Sequence, residues 1–78
     1  MTTTEISKLI EAEPDVKRLV ELAVIGTGWL YLIETPFETW PRFVIGTLSP
    51  DGSGPRILLK CGQEWSARAE WHRVQKEL

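Results

Sequence analysis

Apolar positions along the chain follow two kinds of pattern. Between Gly28 and Cys61 they form three short runs: Gly28–Thr35, Arg42–Leu48 and Arg56–Cys61. Runs of this length, rich in Ile, Val, Leu and aromatics, predict strands. Thr35–Pro41 separates the first pair and contains two prolines, which lack the N–H a central strand needs. Ser49-Pro-Asp-Gly-Ser-Gly-Pro55 separates the second pair and is the strongest turn signal in the chain. The segment reads as a three-stranded antiparallel meander.

Outside that segment the apolar residues recur at helical spacing. Ile6, Leu9 and Ile10 predict a short helix over residues 4–13, with Thr2 and Glu5 at capping-box spacing. Pro14 interrupts it. Because proline is comfortable in a first turn, a second helix is expected to start there and run to about Ile25. Val16, Leu19, Val20 and Ala23 would be its apolar stripe, and Gly26 its stop. A single helix kinked at Pro14 is the alternative. A last helix is expected over Glu64–Glu77, with Ala67, Trp71, Val74 and Leu78 on its apolar side. The order is ααβββα, an α+β fold.

Alternation assigns Trp29, Tyr31 and Ile33 to one sheet face with Phe43 and Ile45, continued by Ile57, Leu59 and Cys61. Leu30, Leu32, Val44, Leu48 and Leu58 take the other, with Lys60. Both faces are therefore apolar, whereas a sheet with one wet face shows polar residues at alternate positions. Either helices cover both faces, or a further molecule completes one of them. A homodimer would serve.

Composition narrows the function classes. Seventy-eight residues suit one small domain with a modest core. One Cys allows no internal disulfide, and with one His beside it a four-ligand zinc site is not expected. A net charge of −2 weighs against a binder driven by phosphate neutralisation. No basic stretch leads into an apolar run at the N-terminus, and the longest apolar run, Trp29–Ile33, is too short to span a bilayer. A cytoplasmic location is expected, with no membrane partner.

Four tryptophans stand out in so short a chain: Trp29, Trp40, Trp65 and Trp71, a residue that suits both small cores and interface anchors. At least two are expected to be core. Trp40 sits between prolines in a loop. Trp65 falls on the polar side of the last helix, with Arg68, His72, Arg73 and Lys76. Those six residues are the candidate partner-binding set, since Trp and Arg anchor interfaces out of proportion to their number. Glu64–Arg68 and Arg73–Glu77 have the spacing of helical ion pairs.

No catalytic set is complete. Cys61 ends an apolar strand, where a thiol is inert, and His72 is the sole imidazole. Gly26-Thr-Gly28 precedes a strand rather than opening a helix, so it is no phosphate loop. No cofactor is implied.

Two likenesses of architecture exist. Glu5–Ile10, Asp15–Val20 and Gly28–Leu32 together resemble the middle of a winged helix-turn-helix, which implies DNA contact through the second segment. There, Lys17 and Arg18 are balanced by Asp15 and Glu21. The order helix, three strands, helix is similar to that of the double-stranded-RNA-binding domain. That family grips phosphate with a lysine cluster at the start of its last helix, where this chain has Gln63-Glu-Trp-Ser-Ala-Arg68. The expected function is a small non-enzymatic protein-binding module, a regulator or inhibitor of the kind phages encode against host machinery. Nucleic-acid binding, through the N-terminal helices or the basic side of the last one, is the alternative.

Overall fold

The computed structural model describes all 78 residues. Its elements are α1 (Thr3–Glu11), β1 (Arg18–Ile25), β2 (Gly28–Glu34), β3 (Phe43–Leu48), β4 (Arg56–Cys61) and α2 (Glu64–Glu77). The strands form one antiparallel sheet in the order β1-β2-β3-β4. The fold is thus α+β, as expected, but the order is αββββα. The segment expected to be the second helix is β1.

The misreading has a physical cause. Val20 is an extra residue in β1, because pairing with β2 shifts between Leu19 and Glu21. A bulge interrupts the two-residue side-chain period. Leu19 and Leu22 therefore share one face, three residues apart, which is also helical spacing. Val20, Ala23 and Ile25 pack on the other. With β1 a strand, the chain has no second N-terminal helix to serve as a recognition helix.

The face assignment changes as well. Trp29 pairs with Leu48, Tyr31 with Gly46 and Ile33 with Val44, so Val44 and Leu48 join the Trp29 face while Phe43 and Ile45 join Leu30 and Leu32. A second bulge leaves Leu58 extra in β4: Leu59 opposes Ile45, whereas Ile57 opposes Gly46. Ile57 therefore lies on the Tyr31 face, and Leu59 and Cys61 on the opposite one.

Each face has one helix. α2 lies over β2, β3 and β4, driving Ala67, Trp71 and Val74 against Leu32, Phe43 and Ile45. α1 packs along β1 on the other face, with Ile6 and Ile10 against Trp29, Tyr31 and Leu48. The expected capping box closes the start of α1: Glu5 N–H donates to Thr2 Oγ1 at 3.2 Å, and Thr2 N–H donates to Glu5 Oε1 at 2.9 Å. β2 is buried along its whole length. Gly28 begins it at φ 142°, and a Cβ there would collide with the Leu48 carbonyl. No helix is long and apolar enough to cross a membrane.

Candidate functional site

The loop between β2 and β3 is pinned at its base. Thr35 N–H donates to the Arg42 carbonyl at 2.8 Å. The Thr35 hydroxyl donates to the Pro41 carbonyl at 2.6 Å and accepts from Phe37 N–H at 3.3 Å. Beside this base stands Glu34, a buried carboxylic side chain among cationic neighbours. Arg18 Nε donates to its Oε1 at 3.0 Å, and Lys17 and Arg42 each lie 3.8 Å from its Oε2. Arg18 also reaches Glu64 in the first turn of α2 at 3.2 Å. These bonds tie β1, β2, β3 and α2 together at one end of the molecule.

That end displays three large aromatics. Phe37 is 48% exposed, Trp40 64% and Trp65 75%. The Trp40 ring lies over Gly62, where a Cβ would stand 3.4 Å from it. Trp65 follows three residues later, at the second position of α2. The two tryptophans singled out from the sequence thus come to the same end, on a braced base. The other two, Trp29 and Trp71, are buried; the Trp29 indole N–H donates to the Pro50 carbonyl at 3.1 Å.

The four remaining candidates lie along the outer side of α2. Arg68 pairs with Glu64 at 3.2 Å and Glu21 at 3.4 Å. Arg73 pairs with Glu70 and with Glu77, the latter at 3.1 Å. Both ion pairs expected from spacing form. The Arg68 guanidinium, then Arg18, holds the Glu64 carboxyl below the usual range. His72 and Lys76 are exposed and stand outside these pairs. The positive charge of this side is therefore largely compensated locally.

A second feature was not legible in the sequence. Between α1 and the β4 edge of the same sheet face lies a groove of about 570 Å³. Tyr31, Ile33 and Val44 make its floor, Leu9 one wall and Ile57 of the edge strand the other. The Tyr31 ring spans Gly46, where a Cβ would collide with its hydroxyl. Burial pushes that phenol up from its ordinary pKa. Glu13 and Asp15 stand on the α1 side of the groove, Lys60 on the β4 side, and Phe37 and Pro41 at the end toward Trp40. The sole sequence signal for the groove is the doubly apolar sheet, and finding it requires the strand register.

No three His, Cys, Asp or Glu side chains gather as metal ligands. Cys61 is buried under α2, and burial, then the Glu70 charge, pushes its thiol up, away from the reactive thiolate. The fold is a four-stranded meander with one helix per face. The chain matches no family model, no curated protein and no solved structure.

Proposed function

We propose that the chain is a non-enzymatic protein-binding module, a regulator or inhibitor, that meets its partner with the aromatic end formed by Trp40 and Trp65. The observation that carries the reading is the exposure of these two indoles beside a base fixed by Thr35 and Glu34. Exposed Trp is costly in water and binds well when buried by a partner. Fixing the surface beforehand lowers the ordering cost of association. Nucleic-acid binding ranks second, because Arg68 and Arg73 already face carboxylates.

The test is partner capture from the native host by wild type, Trp40→Ala and Trp65→Ala, each verified as folded by near-UV circular dichroism. At least one substitution is expected to weaken capture about 30-fold, the effect of an interface hot spot of about 2 kcal/mol. Equal capture by both variants contradicts the reading. Steeply salt-dependent binding to mixed-sequence DNA or RNA would favour the second one.

A further inference from the structure

A sheet in the order β1-β2-β3-β4 has two free edges, β1 and β4. Along such an edge alternate residues turn their N–H and C=O away from the sheet, and an added strand is what satisfies the row in full. The two edges are finished differently. α1 packs along β1, and Arg18 and Glu21 of that strand are held by ion pairs to Glu64 and Arg68 of α2. β4 has no such guard. Its strand partner is β3, and no turn, loop or side-chain hydrogen bond reaches Arg56–Cys61. Although α2 lies over one face of β4, four of its six residues are exposed, including Ile57 at 55% and Leu58 at 40%.

The open main chain selects an extended occupant, and the side chains select its charge. Arg56 opposes Thr47 and Lys60 opposes Val44, so the two cations rise from opposite faces of the strand. Neither enters an ion pair, and Gly52–Gln63 contains no acid in a chain of net charge −2. Glu13 and Asp15 stand across the groove from Lys60 without pairing with it. Lys8 and Lys76 are unpaired too, but they sit on helices, whose main chain bonds internally. A second copy of β4 is a poor occupant, because it would bring the same cations to the seam, where like charges across strands destabilise pairing. An acidic segment meets no such barrier. The edge also leads to the aromatic end: β4 closes at Cys61, Gly62 lies under the Trp40 ring, and Trp65 follows in α2.

We propose that the β4 edge takes an extended acidic segment of the partner protein as a fifth strand, with Asp or Glu beside Arg56 and Lys60 and its end directed toward Trp40. The inference rests on the protein-binding reading above and adds to it the chemistry of the partner.

The experiment uses the full chain and synthetic peptides of strand length that alternate Val and Thr, with either two Glu or two Lys, one on each side of the peptide. Affinities are measured by calorimetry, and the site by amide shifts and hydrogen exchange in NMR. The Glu peptide is expected to bind about tenfold or more tightly than the Lys peptide, since two cross-strand attractions become repulsions. It is expected to slow exchange at alternate amides of Arg56–Cys61. N-methylation of one alternate set of peptide amides is expected to abolish binding, and of the other set to leave it intact, a pattern that side-chain docking would not produce. Arg56→Glu with Lys60→Glu is expected to reverse the charge preference; both side chains are exposed, and folding is checked by near-UV circular dichroism. No binding of the Glu peptide, equal affinity for the two charges, or equal tolerance of both methylated sets overturns the proposal. So does concentration-dependent protection of β4 amides in the free chain, which would make a second copy the occupant. In host-partner capture, loss with Arg56→Glu and Lys60→Glu but not with Trp40→Ala or Trp65→Ala keeps the edge and sinks the aromatic end. The reverse result removes the edge alone.

Discussion

The two faces of the sheet are built from similar residues and finished differently. Under α2 the helix is long, and Trp71 with Ala67 and Val74 closes the face. Under α1 the helix is shorter, holds Ile6 and Ile10 against the sheet, and leaves Ile57 and the Tyr31 ring bordering a groove. The difference teaches that apolar content alone does not mark a core. A strand residue is core only if the helix on its own side reaches it, and helix length and placement decide that.

Cutting into the closed face should give the largest effect. Trp71→Ala is expected to lower unfolding free energy by about 3–5 kcal/mol in urea melts, because a large cavity opens in a packed face. The matching cut on the open face, Ile57→Ala, should cost under about 1 kcal/mol, since the side chain is already half in water. Similar losses for the two would erase the distinction between the faces.

A smaller effect sharpens the role of α1. Thr2→Ala removes the cap hydroxyl and should cost about 1 kcal/mol. The Thr2 backbone and hydroxyl contacts hold the Glu5 carboxyl below its ordinary range. A carboxyl lowered on folding contributes stability at neutral pH and loses it as pH falls through the folded value. The stability gap between wild type and Thr2→Ala is therefore expected to narrow in acid melts. A gap that widens on acidification would contradict the capping geometry.

Much of this architecture could be read from the chain. The capping box, α2 with its Trp71 stripe, and the meander from Gly28 to Cys61 all follow from local pattern. β1 did not, because the bulge at Val20 gives Leu19 and Leu22 helical spacing. The sharing of faces did not either: it depends on register across the Thr35–Arg42 connection and on the bulge at Leu58, and neither leaves a local signature. Trp40 and Trp65 were recognisable as odd positions, one flanked by Pro41 and one off the apolar stripe. Their meeting at one end was not, because it requires the β2–β3 loop and the start of α2 to be placed together. The compensation of Arg68 was half legible: Glu64 lies one turn away in sequence, but Glu21 comes from β1.

The most direct test of the central claim is a hydrogen-exchange footprint of the chain in complex with its captured host partner. Slowed exchange is predicted in the Phe37–Arg42 loop and in the first turn of α2 around Trp65. Protection confined to the last turns of α2 around His72 and Lys76, with the Trp40 loop unchanged, would contradict it.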